Sequence, residues 1–84
     1  MFLHVEQFEY KEDYILIIKF TDGVIKEVDL SGELYGEIFE PLKDKKYFKK
    51  AFLNEEIKNI EWPNGADFAP EYLYEKGKKI KISA

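Results

Sequence analysis

Tyr14, Leu16, Ile18 and Phe20 recur at every second position, and Ile15 and Ile17 fill two of the gaps between them. A period of two is the signature of a strand, here Tyr14 to Thr21. Apolar residues on both faces predict a central strand, covered in part on each side. Leu3 to Tyr10 reads as the strand before it, broken by Lys11-Glu12-Asp13. Asp22-Gly23 is a two-residue hairpin signal, because a primed turn needs positive φ at its central positions. Val24 to Leu30 returns as the third strand, with Val24, Val28 and Leu30 on one face and Lys26 interrupting it. The first third of the chain is thus an antiparallel three-stranded meander.

Beyond Leu30 the period changes. Ser31 is placed to cap one short helical turn that ends at Tyr35 and is stopped by Gly36. Residues 37–43 read as a connector held by Pro41. Asp44 is the next N-cap and opens a helix from Lys45 to about Ala51. Tyr47, Phe48, Ala51 and Phe52 fall on its inner face, with lysines opposite. Phe52 to Trp62 reads as a hairpin around Glu55-Glu56, followed by a Pro63-Asn64-Gly65 turn. Asp67 is then expected to cap a last helix through Lys76, with Pro70 in its first turn. Phe68, Tyr72, Leu73 and Lys76 would form its inner stripe, leaving Tyr74 outside, and Gly77 would end it. Lys78 to Ser83 alternates lysine with isoleucine, as an edge strand or a loose tail.

These elements predict an α+β fold: an antiparallel three-stranded meander plus a hairpin, with two or three short helices on one face. The expected core is Leu16, Ile18, Phe20, Val28, Leu42, Phe48, Ile60, Trp62 and Leu73. At 84 residues the chain is read as one domain, 1–84, in which 78–84 is the edge strand or tail.

Composition narrows the class. Apolar residues make up 45% and charged residues 36%, which is globular composition, and the absence of cysteine removes disulfides and thiolate chemistry. The longest apolar run is Ile15 to Ile18, against the ~20 residues that cross a bilayer. The N-terminal residues carry neither a basic stretch nor a long apolar one, so no secretory signal is read there. The expectation is a cytoplasmic protein with no membrane partner.

All 13 basic residues are lysine, and the net charge is −4. Segments 43–50 and 76–81 are each strongly positive, so the remainder is strongly acidic. Duplex binding favours a basic surface overall, and arginine is the commonest reader of guanine. Both facts lower a nucleic-acid role without removing it, because lysine still binds phosphate. Tyr47 and Phe48 interrupt the first lysine segment at helical spacing. They point to the core, which makes the lysines a solvated face.

A catalytic set is not apparent. Ser31, Ser83 and Thr21 lack the frame of an activated nucleophile. His4 is the single histidine and reads as a strand-end residue. Asp67, Glu71 and Glu75 would suit a hard cation, but capping and the helix N-terminus account for the first two more simply. No phosphate-binding glycine loop is present. The chain is therefore not expected to be an enzyme, and no catalytic, cofactor-binding or metal site is expected. The 14 aromatic rings are more than a domain of this size easily buries, and Tyr10, Tyr35 and Tyr74 are candidates for exposure. Exposed rings favour protein interfaces.

The most distinctive stretch is Trp62-Pro63-Asn64-Gly65-Ala66-Asp67-Phe68-Ala69-Pro70-Glu71-Tyr72-Leu73-Tyr74-Glu75. It resembles the closing motif of a small bacterial family, domain of unknown function 2442. Phe20-Thr21-Asp22-Gly23 with Val28-Asp29-Leu30-Ser31 is similar to that family's hairpin and its exit. Phe39-Glu40-Pro41-Leu42-Lys43-Asp44 with Tyr47-Phe48 is similar to its middle, and the tail from Lys76 to Ala84 lies outside the pattern. The resemblance implies an α+β domain of this size and no established activity. It also implies a gene setting: similar proteins are often encoded beside small partner proteins in a toxin–antitoxin-like arrangement, and some related domains are joined to a helix-turn-helix.

The resulting expectation is a non-enzymatic protein-interaction or regulatory module, the antitoxin-like member of such a pair. Its partner would be a neighbouring gene product or a second copy of the chain. The alternative is a nucleic-acid-linked regulator using lysine segments 43–50 and 76–81, which requires the two to converge on one surface. Trp62, Asn64, Gly65, Asp67, Tyr72 and Tyr74 are the candidate interaction residues. A folding device and a contact surface both remain open for them.

Overall fold

The computed structural model describes residues 3–80. Strands β1 (Val5–Glu12), β2 (Ile15–Phe20) and β3 (Ile25–Asp29) form the meander. A two-residue strand, β6 (Lys78–Lys79), adds to its edge and gives the order β1-β2-β3-β6. Strands β4 (Phe52–Asn54) and β5 (Asn59–Glu61) form the separate hairpin. A 3-10 helix (Glu37–Lys43) leads into α1 (Lys45–Phe48), and α2 (Pro70–Lys76) precedes β6. The α+β arrangement is the one the sequence pattern predicts, with a fourth strand closing the meander. The continuation of that strand at 81–84 lies outside the described residues.

The β2 alternation works as expected. Leu16, Ile18 and Phe20 are buried while Ile15 and Ile17 are half-buried. Across the ladder Leu16 faces Tyr10 and Val28, and Phe20 faces Val5, so one apolar sheet face is built from three strands. All nine expected core residues are buried in one cluster, joined by Val5, Leu30, Leu34, Ala66 and Phe68. The opposite face mixes Ile15, Ile17 and Ile25 with charges, and cross-strand pairs Lys11–Glu27 and Lys19–Glu6 span it at 2.6 and 3.6 Å. Glu27 holds the Lys11 ammonium above its ordinary pKa, first by the hydrogen bond and then by its charge.

Several local expectations are corrected. β1 continues through Lys11 and Glu12, because the chain reverses one residue later at Asp13, whose φ is 46°. The β2–β3 hairpin is not closed by a primed two-residue turn. Only Gly23 has positive φ, and the loop is Thr21-Asp22-Gly23, closed by Phe20 and Val24. No helix forms at 31–35. The Ser31 N–H is taken by the Asp29 carboxylate at 2.9 Å, and one turn with glycine at both ends has too few bonds to offset nucleation. The helix lies instead where a connector was expected, at 37–43, with Pro41 inside it. Its 3-10 winding turns Leu42 into the core and leaves Ile38 exposed.

Asp44 does cap α1, accepting the Lys46 N–H at 3.0 Å. The helix is shorter than expected, and Phe52 belongs to β4 and is exposed rather than inward. Asp67 does not cap α2. Its backbone bridges Glu61, which holds it extended. Ala69 occupies the cap with no side-chain bond and Pro70 begins the helix. Proline pre-sets the helical φ there and needs no N–H partner, while forcing the residue before it into extended backbone. The inner stripe is also different. Leu73 is buried, but Tyr72 and Lys76 are exposed, and Tyr74 packs inward.

Gly77 ends α2 without positive φ, through a bond from its N–H to the Leu73 carbonyl. Its glycine identity has another cause. A Cβ at this position would lie 2.8 Å from Lys26 Cβ and 2.9 Å from Val28 Cγ2. Only a bare backbone comes close enough to β3 for Lys78 and Lys79 to pair with Glu27 and Lys26.

Candidate interaction site

The segment from Trp62 to Glu75 starts with a tight turn. The Trp62 N–H donates to the Ala66 carbonyl at 2.9 Å, and the Gly65 N–H donates back to the Trp62 carbonyl at 2.8 Å. Gly65 has φ 88°, a conformation that a Cβ disfavours. Asn64 Oδ1 accepts the Ala66 N–H at 3.1 Å, and its Nδ2 donates to the Ile38 carbonyl at 2.8 Å. One side chain therefore shapes the turn and ties it to the 3-10 helix. The Trp62 ring is buried, and its Nε1 donates to the Phe48 carbonyl at the end of α1 at 2.9 Å. That bond satisfies a helix-terminal carbonyl and the indole N–H together.

From this anchor a row of rings reaches the surface. Phe39 of the 3-10 helix stacks on Phe68 at 4.7 Å with 19° between planes. Phe68 stacks on Tyr72 at 5.7 Å and 10°. Trp62 meets Phe68 edge-on at 6.1 Å, which fixes the middle ring from below. The row ends at Tyr72, 38% exposed, and the segment that carries Phe39 also exposes Ile38 at 48% and Tyr35 at 75%. Apolar and aromatic surface is thus held by a rigid base, on parts of the chain far apart in sequence.

Tyr74 belongs to a different place. Its ring meets Phe20 edge-on at 4.9 Å, and its hydroxyl donates to Asp22 Oδ2 at 2.8 Å. Lys26 Nζ sits 3.8 Å over the same ring and donates to the Tyr74 carbonyl at 2.5 Å. Lys26, the residue that interrupts an apolar strand face, is thereby covered by α2. The Asp22 carboxyl is held below the usual carboxylate range, first by the Val24 N–H and then by the Tyr74 hydroxyl. Tyr74 is raised in turn, chiefly because Asp22 accepts its proton bond. Of the six residues singled out in the sequence, Trp62, Asn64, Gly65 and Tyr72 converge on the aromatic row. Tyr74 fastens α2 to the β2–β3 hairpin, and Asp67 lies on a separate shallow cavity with His4, Asn59 and Glu71. Phe39 and Asn59 were not legible as site residues. Phe39 looks like any apolar residue of a short helix, and Asn59 like any polar residue of a short strand.

The lysine segments do not come together. Lys45 pairs with Asp13 at 3.0 Å and Lys49 lies 5.4 Å over the Tyr10 ring, so α1 leans on the β1–β2 turn. Asp13 raises the Lys45 pKa, first through their hydrogen bond and then through its charge. Lys78 and Lys79 lie beyond β3, at the opposite edge of the sheet. Lys43 and Lys76 are paired with Glu40 and Glu33. Among the described residues no three His, Cys, Asp or Glu side chains are grouped to hold a metal ion, and no helix is long and apolar enough to cross a membrane.

A family model described as "Protein of unknown function (DUF2442)" matches residues 5–79. The match reaches past Lys76 into β6, so the pattern extends further than the resemblance alone implies. No curated protein and no solved structure matches the chain.

Proposed function

The chain belongs to the DUF2442 family of proteins of unknown function, and from that premise we propose that it is a non-enzymatic protein-interaction or regulatory module. The observation that carries the reading is the stacked row Phe39–Phe68–Tyr72, with Ile38 and Tyr35 exposed on the same segment. Rings held on a buried tryptophan present apolar area at little entropic cost, which is what binding hot spots need. The module acts in the cytoplasm as the antitoxin-like member of a small pair, its partner being the product of a neighbouring gene. The nucleic-acid alternative has weaker support, since α1 leans on the β1–β2 turn while Lys78 and Lys79 lie on the edge strand beyond β3, and three lysines of the two segments are engaged by carboxylates.

Co-expression with the neighbouring gene tests this directly. The tagged chain is expected to retain that gene's product through size-exclusion chromatography. Ile38→Glu and Tyr72→Ala, both at exposed positions, should release it while the chain stays folded. Free passage of the neighbouring product, or equal retention by both variants, overturns the assignment of the row.

A further inference from the structure

Asn64-Gly65 has a chemistry that the turn alone does not use. A backbone nitrogen can attack the side-chain amide of the asparagine before it, and glycine shields that nitrogen least because it has no Cβ. The other asparagines, Asn54 and Asn59, precede Glu55 and Ile60, whose side chains shield it. In the fold the nucleophile and both ends of the Asn64 amide are held. The Gly65 N–H donates to the Trp62 carbonyl at 2.8 Å. Asn64 Oδ1 accepts the Ala66 N–H at 3.1 Å, and Nδ2 donates to the Ile38 carbonyl at 2.8 Å. The first two bonds are local to the turn. The third exists only while the 3-10 helix stays docked, and Asn64 itself is exposed to water.

We infer that Asn64 is a self-modification site: the docked 3-10 helix keeps its amide intact, and the amide deamidates when that helix opens. Proteins open locally in this way, without global unfolding, at elements with few buried contacts. Base removes the Gly65 amide proton, the nitrogen bonds to Asn64 Cγ, and the Cγ–Nδ2 bond breaks, with Nδ2 leaving as ammonia. Water then opens the five-membered imide. Attack at Cγ gives aspartate. Attack at the backbone carbonyl carbon gives isoaspartate, in which the main chain runs through the former side chain. Only water and ordinary base enter, and nothing is oxidised or reduced. Both products lack the Nδ2 donor. Aspartate sets an acceptor against the Ile38 carbonyl, and isoaspartate lengthens the backbone of the turn. The 3-10 helix then stays loosened, and with it Phe39, the first ring of the stacked row. The inference holds whatever that row binds.

Incubation of the full chain in mildly alkaline buffer, with peptide mapping by mass spectrometry, tests it. Conversion is expected at Asn64, while Asn54 and Asn59 stay intact. The native chain should react on the order of tenfold or more slowly than the same chain in urea, because only its open fraction reacts. Phe39→Ala removes a ring that holds the helix and should speed conversion several-fold in native buffer, with the rate in urea unchanged. Gly36→Ala strains the start of the helix, where φ is 91°, and should act in the same direction without touching the core. Gly65→Ala should slow the reaction in urea, where stability plays no part. In the converted chain the Phe39 amide, which bonds the Gly36 carbonyl at 3.1 Å, should exchange hydrogen faster. Equal rates in native buffer and urea, native rates unchanged in both helix variants, or conversion of Asn54 and Asn59 as fast as Asn64 in urea overturns the site. Unchanged Phe39 exchange after conversion overturns its link to the helix.

Discussion

Two turns of this protein share one design. In Phe20-Thr21-Asp22-Gly23-Val24 and in Trp62-Pro63-Asn64-Gly65-Ala66, a buried aromatic residue donates its N–H to the carbonyl four residues on. The glycine returns a bond to the aromatic residue's carbonyl, and both glycines have φ 88°. In both, the acidic or amide side chain accepts the N–H two residues later, at 2.9 and 3.1 Å. The difference lies in what the second atom of that side chain does. Asp22 has another acceptor and holds the Tyr74 hydroxyl, whereas Asn64 has a donor and holds the Ile38 carbonyl. A local turn motif thus becomes a tertiary clamp, and the choice between carboxylate and amide is set by whether the distant partner is a donor or an acceptor.

The largest effect expected is at the aromatic positions. Phe20→Ala and Trp62→Ala should each cost about 3–5 kcal/mol in urea denaturation. Trp62→Ala should be the worse of the two, because it also leaves the Phe48 carbonyl without its indole donor. Equal losses would show that the indole bond adds nothing.

The glycines come next. A Cβ at Gly23 or Gly65 meets no atom within 4 Å, so any cost is backbone strain alone. Gly23→Ala and Gly65→Ala should therefore each lower stability by about 1–2 kcal/mol, and by similar amounts. A clear difference between them would break the equivalence of the two turns. Gly77→Ala is a useful contrast, since there the obstacle is β3 and the loss should appear as exposure of the Lys78–Lys79 amides to hydrogen exchange.

Exchanging the two polar residues sharpens the comparison further. Asn64→Asp sets a carboxylate oxygen against the Ile38 carbonyl and should cost about 0.5–1.5 kcal/mol, the range of one lost hydrogen bond. Asp22→Asn keeps an acceptor for Val24 and should lower the melting temperature less. Its effect depends on pH. The Asp22 carboxyl titrates below its unfolded value, so its contribution is full above about pH 3.9, the ordinary carboxylate pKa, and is lost as pH falls through the lower folded value. The wild type and Asp22→Asn should thus converge in strong acid. A difference that persists there would mean that the carboxylate is not what Tyr74 needs.

The smallest effect is expected at Asp67. Its side chain caps nothing, so Asp67→Ala should leave thermal stability almost unchanged rather than cost the ~0.5–2 kcal/mol of a lost N-cap. A loss of cap size in calorimetry would mean that the helix begins earlier in solution than at Pro70.

The elements legible in the sequence are those whose signal is local. β2 announces itself by period two, Asp44 by its position before an apolar helical face, and the two turns by their glycines. Most of the nine expected core residues share this property, since they sit in phase with their neighbours; Leu42 does not, because its 3-10 helix reads as a connector in the sequence. The misreadings have one physical origin. Ser31 and Asp67 have the right chemistry for caps, but no helical turn forms after Ser31 and Glu61 bridges Asp67. Helical spacing alone places Tyr72 inside and Tyr74 outside, and the sheet reverses the two. Tyr74 is drawn in because Phe20, Asp22 and Lys26 wait there.

The candidate site follows the same division. Trp62, Asn64 and Gly65 stand out as a motif, and the turn they build depends on backbone preferences that neighbouring residues impose within a few positions. The stacked row joins Phe39 to Phe68, 29 positions later, and the Asn59 cavity joins β5 to the start of α2. By itself the sequence determined the strands, the turns and the identity of the core, because pleat, positive φ and burial act on adjacent residues. Only the tertiary structure decided which tyrosine faces inward and which acid caps nothing. Those outcomes depend on partners brought together through space, and no spacing along the chain records them.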